Sequence, residues 1–474
     1  MRKVIPITAV PALSTDQELV SLYAAQPKIY PRSVQGLFAR WRWGMVFLTQ
    51  LVFYGLPWLQ YGERQAVLLD LAARRFYLFG LVLYPQDFIY LTGLLVVSAL
   101  SLFLFTAVAG RLWCGFTCPQ TVYSEIFIWI ERRIEGDRGA RMRLDGSPAS
   151  TAKLGKKAAK HAVWLLLSLW TGFTFVSYFT PTQALLQESL QLNFGSWEVF
   201  WGLFYSAATY GNAGFMREQV CKYMCPYARF QSAMFDKDTL IVSYDTNRGE
   251  PRGARSRKAD PAALGLGACV DCTLCVQVCP TGIDIRQGLQ YECINCAACV
   301  DVCDGVMDKM GYARGLVRFA TQNGIAGGWG ARQILRRVLR PRVLVYTALL
   351  WTLILCLGIS LAMRTPLKVD VVRDRAALSR IVGGGQLENV YRLQVMNATE
   401  SPQRYTLSAH GLEGLVLASE TEVEVGAVQS RWVAVRLHIP YGSAAPGSHP
   451  VVFDIATADG KDHVSEKSTF IVPR

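Results

Sequence analysis

The chain has 474 residues, 51% of them hydrophobic, a mean hydropathy of +0.21 and a formal net charge of +13. That length has room for two or three domains, and long apolar stretches set the class as an α-helical membrane protein. The basic excess is read as cytoplasmic positive charge beside anionic headgroups, and nucleic-acid binding is set aside.

In chain order, residues 1–43 lack the charged start, apolar core and small-residue cleavage site of a signal peptide and are expected to be a cytoplasmic segment. A helix needs about 20 apolar residues to cross a bilayer. Spans are expected near Gly44–Leu59, Phe88–Ala109, Ala162–Thr180, Trp197–Met216 and Val343–Met363. The first four make a membrane domain over 44–217. Phe76–Tyr84 is apolar but too short to span and is left at the interface. Glu131–His161 carries nine Lys/Arg, whereas Pro181–Ser196 carries none, and Arg217–Arg342 carries eighteen against twelve acids. The positive-inside rule therefore puts the N-terminus, the 131–161 loop and residues 218–342 in the cytoplasm, and five spans put the C-terminal part in the periplasm. The loop Gln60–Gln86, with Arg64, Arg74 and Arg75, is the weak point of that multi-pass inner-membrane topology.

Two matched C-x3-C-P motifs close the second and fourth spans. They are Cys114-Gly-Phe-Thr-Cys118-Pro119 and Cys221-Lys-Tyr-Met-Cys225-Pro226. Proline favours the first position of a helix, so Cys118 and Cys225 are expected to cap helices starting at Pro119 and Pro226. The partial positive charge of a helix start, with Arg111, Lys222 and Arg229 nearby in sequence, is expected to favour the thiolate. Four soft ligands suit Cu(I), zinc or an iron–sulfur centre. The bland alternative is that both pairs brace the spans. Cys356, alone in the last span, is expected to be a packing residue.

Eight more cysteines fall in one 35-residue stretch, within a cytoplasmic segment spanning 218–342. Cys269, Cys272, Cys275 and Cys279 precede Pro280; Cys293, Cys296, Cys299 and Cys303 repeat the spacing. This is the bacterial ferredoxin run, in which the fourth cysteine of each copy serves the other copy's cluster. One [4Fe-4S] cluster is therefore assigned to Cys269, Cys272, Cys275 and Cys303, and the second to Cys293, Cys296, Cys299 and Cys279, in a ferredoxin domain over about 260–310. Paired zinc knuckles or a disulfide framework account less well for the doubled register. Asp304 stands where a second proline is usual.

Other redox centres are poorly supplied. His410, His438, His449 and His463 all lie beyond the last span (343–363), leaving His161 alone in the membrane half, and no C-x2-C-H occurs. Bis-histidine haem within the spans is excluded. No G-x-G-x-x-G follows a strand, so a dinucleotide site is not indicated. Thr365–Arg474 has no cysteine, which removes a blue-copper site. Its short alternating runs, Tyr391–Met396, Arg404–Leu407, Trp432–Ile439, Pro450–Ile455 and Ser468–Val472, suggest a periplasmic immunoglobulin-like β-sandwich. The sequon at Asn397 carries no weight.

Nearly the whole chain resembles the FixG/RdxA/CcoG-type cytochrome c oxidase accessory proteins. The likeness rests on segments 62–67, 110–121, 131–137 and 218–227, on the ferredoxin runs and on the terminal domain. It implies a role in assembling a cbb-type haem–copper oxidase by reducing Cu(II) to Cu(I). Oxidase subunits or copper-delivery proteins are the implied partners, with an unidentified cytoplasmic electron donor. On that reading Cys114, Cys118, Cys221 and Cys225 meet copper. Two other readings stay open: a quinol dehydrogenase relaying electrons to a periplasmic reductase, and a non-catalytic scaffold with structural clusters.

Overall fold

The computed structural model describes residues 28–261, 263–374 and 378–473; the expectation about a leader sequence lies outside them. Among the described residues the first half carries α1 (Leu37–Gly55), α2 (Phe88–Ala109), α3 (Leu112–Phe116), α4 (Pro119–Glu135), α5 (Arg138–Gly146), α6 (Thr151–Val176), α7 (Thr182–Gln191), α8 (Ser196–Gly211) and α9 (Pro226–Met234). Later come α10 (Ala298–Met310) and α11 (Pro341–Ala362).

Among the described residues two helices are long and apolar enough to cross a membrane, Pro85–Ala109 and Pro341–Ala362. The other three expected spans are helical but mixed. The start of α1 carries Arg40 and Arg42, and the first third of α6 carries four lysines. Regular α8 ends at Gly211 and passes into a wide turn over Asn212–Met216. All three still present large apolar side chains outward, among them Phe47 and Leu51 on α1, Leu166 and Trp170 on α6, and Trp197 and Phe204 on α8. Cys356, expected to pack, is exposed on α11.

The basic loop is not simply solvated charge. Buried Glu131 pairs with Arg141 and Arg217, each at 3.0 Å, while Glu135 pairs with Lys157 and Lys160, each at 3.0 Å. These ion pairs join α4, α5 and α6 to the turn that precedes Cys221. The N-terminal stretch lies on the same end: Ser33 bonds Asp137, and Lys28 bonds Asp145.

Phe76–Tyr84 is part of a sheet. It supplies β2 (Arg75–Leu78) and β3 (Leu81–Leu83), which with β1 (Val67–Asp70) form a three-stranded sheet. Leu68, Tyr77, Val82 and Tyr84 pack against Met396, Ala398 and Val428 of the C-terminal domain, which is why the segment is apolar. Arg64 pairs with Glu400 and Arg75 donates to the Val428 carbonyl, so two of the three arginines in this loop have partners on that domain.

A two-stranded ladder, β4 (Ile241–Tyr244) with β5 (Val317–Ala320), closes the cysteine-rich segment. The C-terminal domain is a sandwich. One sheet runs Val416–Leu417, Ser430–Pro440, Gln386–Asn397, Leu367–Arg373, with Arg380–Val382 also on the long central strand; the other runs Glu422–Val425, Gln403–His410, Gly447–Thr457, His463–Val472. Each expected strand lies within one of these. Inward residues of both sheets, such as Tyr391, Leu393, Val435 and Phe453, are fully buried. Asn397 is buried too, and its amide donates to the carbonyls of Ser401 and Gly426.

Candidate metal centres

The two ferredoxin runs adopt the same backbone. Asp271 and Thr273 in the first, and Asn295 and Ala297 in the second, have φ of 52°, 55°, 54° and 58°. Left-handed residues at the same two places in each copy curl the loop so that successive N–H groups face its hollow, a concavity suited to anionic sulfur. A short helix follows the first run at Leu274–Gln277, and α10 follows the second.

Two enclosed hollows result. One is walled by Cys269, Cys272, Cys275 and Cys303. The other is walled by Cys279, Cys293, Cys296 and Cys299, with Cys275 on the partition between them. The chain thus gathers the quartets that the spacing pairs across the two runs. Four thiols per hollow are the donor set of a [4Fe-4S] cluster. Burial pushes the Cys293 and Cys303 thiols up to about 12 and Cys275 to about 11. Such sites resist charge when empty and release protons when metal binds. Asp304, in place of proline, accepts the Gly315 N–H at 2.9 Å.

The C-x3-C-P cysteines come from distant parts of the chain and meet. Cys118 and Cys225 are the N-cap residues of α4 and α9, each followed by proline. Cys221 lies in a wide turn, closed by the Cys225 N–H to the Val220 carbonyl at 2.8 Å. Such turns recur at functional sites. Cys114 on α3 feels the charge of Cys118, Cys221 and Cys225. Burial works against the thiolate expected at Cys118. Burial and the neighbouring thiols push Cys114 up to about 12 and Cys221 to about 11. Burial raises Cys118 as well, although the Gln120 and Thr121 N–H groups oppose it. Among the described residues no three His, Cys, Asp or Glu side chains, these four thiols and the ferredoxin quartets included, stand close enough to hold a single metal ion.

The two cysteine groups abut. A Cβ on Gly115, between Cys114 and Cys118, would stand 2.6 Å from the Ile294 carbonyl oxygen and 2.9 Å from the Cys296 Cα. Glycine is therefore required by close approach of two backbones. Cys114 and Cys221 pack on a small core containing Ile294 and Cys296. Cys221 and Cys296 also line one cavity of about 50 Å³, with Arg42, Glu125, Arg217 and Glu218. Arg111, 2% exposed, donates to the carbonyls of Ala228 and Tyr291, placing its charge beside Cys114, Cys221 and Cys293.

Several supporting residues carry no sequence signal. Arg42 of α1 donates to the Cys296 carbonyl at 3.3 Å. Asp301 of α10 accepts the Phe38 and Ala39 N–H groups at 3.1 and 2.7 Å, fastening the start of α1 to the second run. The Asn295 amide reaches the Ala109 carbonyl at 3.4 Å while its oxygen accepts the Val242 N–H at 3.3 Å. Asn295 and Asp301 lie inside the second cysteine run, and Gly115 and Arg111 in or beside the first C-x3-C-P motif; Arg42 stands near no motif.

Three family models match. Residues 216–322 match a 4Fe-4S dicluster domain, residues 91–136 a 4Fe-4S binding domain, and residues 357–473 the IG-like fold at the C-terminal of FixG. The nitrogen fixation protein FixG of Rhizobium meliloti (strain 1021) is 40% identical over 422 residues, covering 82% of this chain and 80% of that protein. Protein RdxB of Cereibacter sphaeroides is 39% identical over 447 residues, covering 92% and 93%. Protein RdxA of the same organism is 38% identical over 437 residues, covering 89% and 91%.

Proposed function

The chain belongs to the FixG/RdxA/RdxB family of iron–sulfur proteins, and on that premise we propose that it reduces Cu(II) to Cu(I) at Cys114, Cys118, Cys221 and Cys225 during assembly of a cbb-type haem–copper oxidase. Iron–sulfur electron transfer follows from the family and the domain matches. The observation that carries the copper step is the backbone contact of Gly115 with the Ile294–Cys296 loop, which sets the Cys114–Cys118 segment against the second ferredoxin run, with Cys221 packed on the same small core. Cys269, Cys272, Cys275 and Cys303 hold one [4Fe-4S] cluster, and Cys279, Cys293, Cys296 and Cys299 the other. When bound, such clusters supply one-electron carriers. Copper is the substrate: each Cu(II) takes one electron and leaves as Cu(I), the ion that soft thiolates prefer. Arg111 holds positive charge beside both groups, and burial of the thiols keeps water from the ion. The test is the Cys118→Ser, Cys225→Ser double variant. Both clusters should assemble while copper binding and reduction are lost; reduction at the parent rate places the site elsewhere.

The proposed setting is the bacterial inner membrane, crossed five times, with the N-terminal and ferredoxin segments cytoplasmic and the sandwich periplasmic. Support comes from the outward apolar side chains of α1, α6 and α8, and from the docking of the 60–86 loop on the sandwich. Oxidase subunits or copper-delivery proteins are the partners in this reading. Reporter fusions after Pro251 and after Gly442 should give opposite signals, and matching signals overturn the span count.

A second reading is favoured by the 4Fe-4S family match over residues 91–136, which contains Cys114 and Cys118. There the four thiols hold a further cluster. Iron near twelve per chain, against about eight for two clusters, decides for it.

A further inference from the structure

We propose that the electron donor is a membrane quinol, bound in a cavity beside Cys118. The proposal rests on the reading of the four thiols as the place where an electron acceptor sits. A cavity of about 530 Å³ lies among α1, α4, α6 and α8. Thr117 and Pro119, the residues on either side of Cys118, form part of its wall. Such a volume falls within the range of small-molecule sites. Its lining is mixed in the manner a quinol head requires. Gln50, Tyr123 and Thr171 supply polar groups, and Phe53, Trp113 and Phe175 supply apolar faces. The Gln50 Oε1 is a buried acceptor without a partner. Tyr54 bonds Thr171 at 2.9 Å and approaches the Tyr123 hydroxyl at 3.4 Å, so the polar side is held in place.

The cavity shares part of its wall with a second one. Phe175 and Tyr205, stacked with centroids 3.5 Å apart, line it and also line an outer cavity of about 930 Å³. That outer space is walled by Phe179, Trp197 and Trp201 and gives an apolar tail somewhere to lie. It also holds Glu188 and Glu198. Glu198 accepts the Gly195 N–H and the Thr180 hydroxyl, each at 2.8 Å. Burial and the Glu198 charge raise the Glu188 carboxyl above its ordinary range, so this pair can accept a proton. A hydrated cation is poorly served by such aromatic walls; a lipid-soluble ring is well served.

The step balances as one quinol and two Cu(II) giving one quinone, two Cu(I) and two protons. The two O–H bonds of the quinol break. One electron passes to Cu(II) at the thiols, and the other is stored in the adjacent ferredoxin segment until a second Cu(II) arrives. The protons leave through the outer cavity past Glu188 and Glu198.

The experiment uses the full chain in nanodiscs under anaerobic conditions, with decylubiquinol as donor, Cu(II) as acceptor and a Cu(I) chelator as reporter. Decylubiquinone binding is titrated separately by calorimetry, without copper. Saturable binding and two Cu(I) per quinol oxidised are expected. Ala208 lines the cavity, and Ala208→Trp should weaken quinone binding by about tenfold or more. Copper reduction by protein pre-reduced with dithionite and freed of the excess, which would itself reduce Cu(II), should be unchanged in that variant. Gln50→Leu, which removes the unpartnered acceptor without filling space, serves if the tryptophan variant does not fold. Absence of saturable binding means that only lipid acyl chains fill the cavity and overturns the proposal. Undiminished binding in both variants overturns it as well. Quinol failing as donor while dithionite succeeds sinks the quinol and leaves the copper reading standing; both donors failing with quinone still bound sinks the copper reading instead.

Discussion

The eight ferredoxin cysteines and the four C-x3-C-P cysteines reach their positions by opposite routes. The eight lie within one 35-residue stretch, and paired left-handed residues in each run fold the ligands into place locally. The four arrive in two pairs more than 100 residues apart, on α3 and α4 and on the turn before α9. Gly115 lets the first pair's backbone lie on the second ferredoxin run, Cys114 and Cys221 pack on one small core beside it, and Arg111 and the Glu131 ion pairs tie the surrounding elements together. A locally wound site is written in spacing; a site assembled across the fold is written in packing.

The largest effect that separates the two groups is loss of a whole cluster. Cys279→Ser should empty the hollow it shares with Cys293, Cys296 and Cys299, dropping iron from about eight to about four per chain. The hollow of Cys269, Cys272, Cys275 and Cys303 should keep its signal in electron paramagnetic resonance. Damage confined to the first run would mean that ligation is not crossed.

Next in size is a packing defect far from either group. Tyr77 is 8% exposed between the three-stranded sheet and the sandwich. Tyr77→Ala should destabilise that contact by about 3 kcal/mol. Limited proteolysis should then release the sandwich faster while iron content stays at the parent level. Iron loss in this variant would show that the cluster half depends on the docked domain.

The comparison also explains what could be read beforehand. Cluster ligands, both helix-capping cysteines and the sandwich strands were legible because each depends on residues a few positions apart. The thiolate expected at Cys118 is opposed because helix-start charge is a local effect, while the burial that raises this thiol is set by the fold around it. The apolar run Phe76–Tyr84 has its reason at the same long range: Tyr77, Val82 and Tyr84 pack against Met396 and Val428, more than 300 residues away. Three helices lacked a clean apolar run because one end of each carries charge or irregular turns that serve the metal half, as Arg42 does at Cys296.

A smaller effect is expected at the seam between the two groups. Gly115→Val places a side chain against the Ile294 carbonyl and the Cys296 Cα, and such overpacking costs about 1–3 kcal/mol. All twelve cysteines remain, so iron content should hold. Copper reduction should slow, because the thiols are pushed away from the second run. Stopped-flow bleaching of cluster absorbance on adding Cu(II) measures it, and a parent-like rate would show that the electron takes another path.

The smallest effect belongs to the exposed edge of the sandwich contact. Glu400 meets Arg64 at 2.6 Å, but its side chain is 48% exposed, so water and salt compete for both charges. Arg64 has other company: it donates to the Phe79 carbonyl at 2.6 Å and lies over the Tyr77 ring at 4.5 Å. Removing Glu400 therefore strands no buried cation. Glu400→Ala should shift stability by about 0–1 kcal/mol, as exposed ion pairs do. A thermal melt in low and high salt checks it. Little change in either is expected if the 60–86 loop is held to the sandwich by Leu68, Tyr77, Val82 and Tyr84. A large, salt-sensitive loss would mean that charge, not apolar packing, joins these distant parts of the chain.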